Sequence, residues 1–576
     1  MSPKYLPARV QNPTQPSRAL GATKLRGVNP LPHLKLLLKL SSNRAVLLLL
    51  FALALLPRLA GLSWGLPSAE HWFSFHPDER QTFEGVAALN PLGGQFNPHF
   101  FNYPSLFFYL TWALNFVLSG LGLSTPIDKS APFPWFLSRD ILFSARLVSA
   151  LLGAAIAPLA FAWARRVISR RAALLAGVLC ALSPGLVQHS HFATVDVPAT
   201  FFVVWCLYLT TRGQTEGDAR ARRKYLLLAA LVAGLAAGTK YNAVLVALAP
   251  LTAAILLRQP LKYLLALCVL PIVGFLIACP FSVLSFREFW GDGTLNGFAY
   301  ELLVHPHEGS GELFQETGSG WLYHLGFTLP FALTWPVLLA SVASLGVILR
   351  KKNFAHVYLW PIAAFAVLYF GAIGTSQVRF LRYILPLAPP LLVLAAALID
   401  APMLRRRAPQ VLAGFLILIS AWGTRDVTYP FTQPDAREAA VAFLRAQAKP
   451  PLPQGVALAD RFWFYSPPLL PQNAPLRGFS LPATSPGEKF RVTNFNFDAA
   501  RLLSEKPLWV ASSEFEWRDK ARLNNVDYLA WQRILDQAYE LVWARKVQAP
   551  LALPGRGYVP HDFLYSNPEV RIYKGR

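Results

Sequence analysis

The sequence predicts an all-α polytopic membrane protein of about eleven transmembrane helices, followed by a small C-terminal α/β domain outside the membrane. Three observations predict it. Of the 576 residues, 54% are hydrophobic and only 15% charged, against about 25% charged in an ordinary soluble domain, and the mean hydropathy is +0.36. The apolar runs are separated by short links, many of them basic. Beyond about residue 425 the long runs stop and a mixed helix-like and strand-like pattern takes over.

Residues 1–44 carry Lys4, Arg9, Arg18, Lys24, Arg26, Lys35, Lys39 and Arg44, and read as a disordered cytoplasmic arm. As a leader this is too long for a cleavable signal peptide, so the first apolar run is expected to be retained as a span. Residues 45–425 then form the membrane domain, with spans at 45–62, 141–163, 172–188, 196–211, 225–239, 242–257, 263–284, 326–349, 357–374, 383–400 and 409–424. The links WARRVISRR (163–171), RGQTEGDARARRKY (212–225), RQPLK (258–262), RKKN (350–353) and LRRRAPQ (404–410) are all basic. The positive-inside rule puts them together in the cytoplasm, and this set of spans does so.

Two consequences follow from the same parity. The apolar stretch Pro104 to Leu123 cannot be a span, because counting it would place WARRVISRR outside; it is expected to be a helix in the outer interface. The run from Tyr225 to Leu257 must be two short spans turning at Gly238, Thr239 and Lys240. Residues 426–576 are then an external domain. Its predicted elements are helix-like DAREAAVAFLRAQ, strand-like GVALAD and LWVAS, helix-like AWQRILDQAYELVW and strand-like VRIYKG.

The formal charge of +23 would suggest nucleic acid in a soluble chain. Here the cations sit in the links between apolar runs, and no recognition module accompanies them, so nucleic acid is excluded as a partner and the lipid bilayer takes its place. Cys180, Cys206, Cys268 and Cys279 lie inside apolar runs without CxxC spacing, which rules out a zinc knuckle and a disulfide framework.

The outer links hold the chemistry. FSFHPDERQTF contains His76, Asp78 and Glu79. A carboxylate at such an interface suits proton removal from an acceptor hydroxyl, although a solvated loop charge has the same sequence. LSPGLVQHSHFATVDVPATFF places His189, His191 and Asp196 at the outer ends of two consecutive spans. Asp196 suits both a helix N-cap and an ionisable group doing work at membrane depth. ELLVHPHEGSGELFQ offers His305, His307, Glu308 and Glu312, a partial pattern for a divalent metal ion, with His305, His307 and Glu308 as candidate ligands. Lys240, Arg379 and Arg382 run against the positive-inside bias, which an anionic phosphate or contact with lipid headgroups would explain.

Several stretches in order resemble the polyprenyl-phosphate-sugar-dependent membrane glycosyltransferases of the GT-C fold, the kind that includes protein O-mannosyltransferases and the lipid A aminoarabinose transferase. They are FHPDERQTFEGVAALNPLGGQFNPHFFNYPSLFFYL, the run from SARLVSALLG to VDVPATFF, GLAAGTKYNAVLV and VRFLRYILPLAPPLLVLAA, together spanning roughly residues 45–400. The resemblance implies an outer-face interfacial helix, Asp78 as catalytic base with Glu79 in support, and Asp196 as the second acidic position. It also implies donor-phosphate contacts from Lys240, Arg379 and Arg382. His76 and His191 stand beside the acids as substrate-binding candidates, as do Asn102 and Tyr103 in FNYPS, where aminoarabinose transferase relatives often carry an acidic residue followed by Lys-Pro.

The expected function is therefore transfer of a hexose or pentose from a polyprenyl-phosphate donor to an acceptor hydroxyl on a protein, lipid or envelope glycan. The expected place is the outer face of a bacterial cytoplasmic membrane, with the N-terminus cytoplasmic, the C-terminal domain periplasmic and a divalent ion as the one candidate cofactor. The rival reading is a transporter or flippase of lipid-linked sugars. It would place ionisable groups near mid-bilayer on repeated, broken helices, and the sequence shows no such repeat.

Overall fold

A computed structural model describes residues 43–126, 135–291, 296–308, 311–350, 356–460, 464–469, 489–555 and 558–576. Nearly all of the N-terminal arm (1–42) and most of the RKKN link lie outside the described residues. Every predicted apolar run is helical. Among the described residues five helices are long and apolar enough to cross a membrane unaided: Leu137–Ala164, Leu261–Ala278, Val357–Thr375, Leu381–Asp400 and Ala408–Gln447. A sixth crossing would be the pair Gly320–Leu333 and Trp335–Arg350. The other runs are shorter, broken or less apolar.

The breaks have local causes. In the bent pair the two helices meet at 112°. Thr334 adopts φ +78°, which a β-branched residue seldom does, and Pro336 has no N–H with which to continue the ladder. The run 172–188 divides into Arg170–Ala181 and Pro184–His189, with Pro184 in the first turn of the second helix. The predicted turn at Gly238 to Lys240 is present. Helix Ala219–Ala237 ends there, Lys240 is extended, and a 3-10 segment, Tyr241–Ala247, leads into Leu248–Leu256. The stretch set aside by charge parity is the 15-residue helix Leu106–Gly120.

Helix Leu261–Ala278 shows how the bundle is made. Leu261, Leu265, Val269 and Ile272 are exposed, a stripe at helical spacing turned away from the protein, while Leu267, Gly274 and Ala278 are buried. Inward, Gly274 meets Gly234 of helix Ala219–Ala237 so closely that a Cβ on Gly234 would lie 2.2 Å from the Pro271 carbonyl oxygen, and one on Gly274 2.3 Å from that of Leu231. Small residues let two backbones touch where dispersion, not hydrophobic exclusion from water, holds helices together. Arg58, fully buried near the end of the first helix, donates to the Ala181 carbonyl (3.0 Å) and Ser190 Oγ (3.1 Å).

The C-terminal region contains a five-stranded sheet in the order β2-β1-β3-β5-β4, with β1 Gln454–Leu458, β2 Phe490–Asn494, β3 Trp509–Ser513, β4 Tyr539–Arg545 and β5 Val570–Gly575. β1 is parallel to β2 and β3, and β5 antiparallel to β3 and β4. Helix Ala436–Gln447 packs Ala440 and Leu444 against Val456, Trp509 and Ile572 on one face. Helix Val526–Ala538 packs Trp531 and Leu535 against Val510 and Tyr573 on the other. One expectation needs correction. AWQRILDQAYELVW is not one helix: the chain leaves it at Ala538, and Tyr539, Leu541 and Trp543 fall in β4, paired with β5 through a bulge. Residues 47–576 form one compact unit, which includes this small C-terminal sheet domain.

Candidate active site

Asp78 and Glu79 are consecutive but have different surroundings. Asp78 precedes the first turn of helix Glu79–Ala87. Glu79 is completely buried. It accepts two bonds from Arg146 (Nε and Nη2, each 2.7 Å), one from the Ala193 N–H (2.8 Å) and one from the Ser74 hydroxyl. Arg146, equally buried, spends Nη1 on the carbonyls of Leu62 and Trp64. This clamp ties the loop that bears Asp78 and Glu79 to the long helix Trp135–Ala164. The Glu79 carboxylate is saturated by protein donors, which fits a supporting place beside Asp78.

The Asp78 carboxylate instead meets Arg382 Nη2 at 2.8 Å. Arg382 comes from the 3-10 segment Leu381–Leu387, and its guanidinium carbon lies 3.9 Å from the Phe380 ring centre. Beside this pair is a second one. Asp196, at the start of helix Asp196–Thr215, holds Lys240 Nζ at 2.5 Å, and that ammonium sits 4.4 Å from the Tyr383 ring centre. Burial raises the Asp78 pKa above the usual carboxylate range, with Arg382 opposing and Asp196 and Asp562 adding to the rise. Four segments far apart in sequence thus bring two carboxylates and two cations into one cluster, in which Asp196 and Arg382 are buried and Asp78 and Lys240 half-buried.

Around it, His76 is buried, takes the Asp78 N–H on Nδ1 (3.3 Å) and packs on Phe192 and Tyr565. Burial, reinforced by Arg382, holds its pKa well below the ordinary histidine value. Asn102 receives the Gly297 N–H (3.0 Å) and donates to Glu301 (3.2 Å), so its part is to place Glu301. Glu301 faces Lys240, Asp78 and Arg382, and burial pushes its pKa up to about 7 against the hydrogen bond from Asn102. Tyr103 faces Asp78, Arg382, Glu301 and Asp196, its hydroxyl pKa raised by burial and by Asp78.

The other expected residues differ in their surroundings. His191 is stacked on Phe431, with its ring nitrogens 2.9 and 3.0 Å from the carbonyls of Val187 and Ala60, and so has a structural place. His189, two residues earlier, is the histidine at the cluster, 3.4 Å from Asp562. Arg379 is engaged with Thr317 Oγ1 (2.5 Å) and the Ser376 carbonyl, outside the Asp78 cluster. His305, His307 and Glu308 occupy a single helical turn in which His307 and Glu308 are exposed and His305 Nε2 lies 3.0 Å from the Tyr383 hydroxyl. Burial and the nearby cations push His305 down to about 4. Among the described residues no three His, Cys, Asp or Glu side chains converge as metal ligands.

Four residues that the sequence reading did not single out belong to the site or its frame: Arg146, Glu301, Asp562 and Tyr565. Arg146 had a legible signal, since an arginine inside an apolar run needs a buried partner. Asp562 had none, lying as it does in an ordinary VPHDFLY stretch of the C-terminal region.

Residues 136–283 match the family model described as dolichyl-phosphate-mannose-protein mannosyltransferase. The matched span includes Arg146, His189, Asp196 and Lys240, and lies within the stretch that carries the resemblance read from the sequence. Among solved structures, the chain is similar to ArnT from Cupriavidus metallidurans bound to undecaprenyl phosphate, at 15% identity over 91% of this chain and 97% of that one, TM-score 0.47. It is similar to the oligosaccharyltransferase AglB from Archaeoglobus fulgidus in complex with an inhibitory peptide and a dolichol-phosphate, at 13% identity, 92% and 77% coverage and TM-score 0.45. The Saccharomyces cerevisiae protein O-mannosyltransferase Pmt1-Pmt2 complex bound to its sugar donor matches at 19% identity over 42% of this chain and 32% of that one, TM-score 0.30. No curated protein matches the chain significantly.

Proposed function

We propose that this chain is a membrane glycosyltransferase of the GT-C type, which moves a sugar from a polyprenyl-phosphate carrier to an acceptor hydroxyl at the outer face of the cytoplasmic membrane. One observation carries the reading: Arg382 and Lys240, each paired with a carboxylate from a different segment, stand in the same cluster as Asp78 and Asp196. Leaving-group phosphate needs preorganised cations, the attacking hydroxyl needs a proton acceptor, and both are worth most where water is excluded.

In this reading the reaction is a single displacement. The acceptor O–H gives its proton to Asp78, its oxygen bonds to the anomeric carbon, and the bond from that carbon to the phosphate oxygen breaks with its electrons on the lipid phosphate. Arg382 and Lys240 take up that charge, and the anomeric configuration inverts. Asp196 holds Lys240 in place, and the Glu79–Arg146 clamp holds the loop that bears Asp78. Undecaprenyl phosphate and dolichol-phosphate in ArnT and AglB, and the sugar donor in Pmt1-Pmt2, are ligands in keeping with such a donor. Whether the sugar is a hexose or a pentose, and whether the acceptor is protein, lipid or glycan, is decided by assay.

The test is sugar transfer by purified protein in lipid nanodiscs, with a panel of radiolabelled polyprenyl-phosphate sugars, a crude envelope acceptor fraction and the Asp78→Asn variant in parallel. Label should pass to acceptor with the parent and fall by about two orders of magnitude or more with the variant. Label that stays on the donor while donor crosses the bilayer with both proteins would replace this reading with a flippase.

A further inference from the structure

Asp562 enters the cluster from the C-terminal region, on the short helix His561–Leu564, and is fully buried. Its carboxylate accepts the backbone N–H groups of Leu381 (3.2 Å) and Arg382 (3.0 Å), the first two residues of the 3-10 segment that carries Arg382. The residue placed to cap that segment is Phe380, which has no side-chain oxygen. Asp562 supplies the cap from 180 residues further along the chain. The same carboxylate lies 3.7 Å from Arg382 Nη1, while Nη2 of that guanidinium meets Asp78 at 2.8 Å.

The segment is itself held in place. Gln188 donates to the Asp562 carbonyl at 2.8 Å, and Arg437 donates to that of Tyr565 at 2.7 Å. The Tyr565 ring packs 4.4 Å from that of His76. A guanidinium shared between two carboxylates is captured completely by neither, and the backbone bonds to Asp562 fix the turn from which it projects.

We infer that Asp562 is a positioning residue for phosphate recognition, holding Arg382 between two carboxylates so that it stays available to the donor phosphate, and that the C-terminal region is thereby part of the active site. The inference rests on the proposed transfer reaction. Asp78 is faced by Arg382, Lys240, Asp196, Asp562, Glu301, Tyr103, Tyr383 and Tyr565, with His76 on its own backbone. If the Asp562 charge is removed, Arg382 is left to Asp78 alone, and the Asp78 pKa falls. A base is lost as pH drops through its pKa, so the acidic limb of the kcat/KM profile should move to lower pH.

The experiment compares parent, Asp562→Asn and Asp562→Glu in nanodiscs. It measures the pH profile of transfer and, independently of turnover, the binding of undecaprenyl phosphate. Asp562→Asn should weaken that binding roughly tenfold, raise the donor KM to match and shift the acidic limb downward, while Asp562→Glu keeps the limb near its parental position. Should the Asn variant fail to fold, Asp562→Ser, which keeps a capping oxygen without the charge, is read in its place with the same expectation. A parental limb and parental binding in the charge-free variant, or failure of both Asn and Ser variants to fold, overturns the inference. If the parent transfers no sugar, the reaction assignment falls, and the binding measurement still decides the role of Asp562.

Discussion

Glu79 and Asp78 are adjacent acids, each paired with an arginine, and they head two unlike regions. At the Glu79–Arg146 clamp the bonds close on themselves: the carboxylate has four protein donors and Arg146 reaches two backbone carbonyls besides. At the Asp78 cluster bonding capacity is left over. Among the described residues, His76 Nε2, both His189 ring nitrogens and Arg382 Nη1 are buried without a hydrogen bond. Buried polar atoms are expensive unless satisfied. A saturated network therefore reads as scaffold, and a surplus at a buried cluster reads as capacity kept for a ligand.

Breaking the clamp should have the largest effect. Arg146→Met leaves the Glu79 carboxylate buried and unpaired, which costs roughly 3–5 kcal/mol; thermal unfolding in nanodiscs should show it as a lost or strongly lowered transition. Next comes Asp78→Asn, expected to lose about 100-fold or more in kcat with an unchanged melting temperature. Lys240→Met should follow, with a loss of about 10- to 100-fold in kcat/KM; a parental value would separate the Asp196 pair from the chemistry. Arg379→Gln sharpens the comparison from the other side. Because Arg379 bonds Thr317 and Ser376 outside the cluster, its donor KM should stay within about threefold of the parent, while Arg382→Gln loses far more. The smallest effect concerns His307 and Glu308. Both are exposed, so His307→Ala with Glu308→Gln should leave transfer within about twofold.

Much of the membrane domain was legible because two patterns agreed. Apolar runs located the helices, and the hairpin at Lys240, expected from the basic links on either side of it, is present. The break at Thr334 was not legible, since ALTWPV has no glycine to announce a positive φ and its proline was also compatible with a continuous span. Asp78, Asp196, Lys240 and Arg382, which the fold brings together, stood out because ionisable groups at the ends of apolar runs are conspicuous. Their partners did not: Asp562 reaches Arg382 only through the fold of the whole chain, and nothing in PHDF marks it. His189 and His191 illustrate the remaining limit. Both were visible, but two residues of spacing turns them in different directions, and only packing decides which meets the cluster.

The two neighbouring acids have separate work, and Asp78→Asn and Glu79→Gln separate them in one pair of assays, thermal unfolding and single-turnover transfer from a radiolabelled polyprenyl-phosphate sugar. Asp78→Asn should unfold like the parent and transfer at about a hundredth of its rate or less, while Glu79→Gln should unfold at clearly lower temperature. An Asp78→Asn protein that transfers sugar at the parental rate would contradict the account.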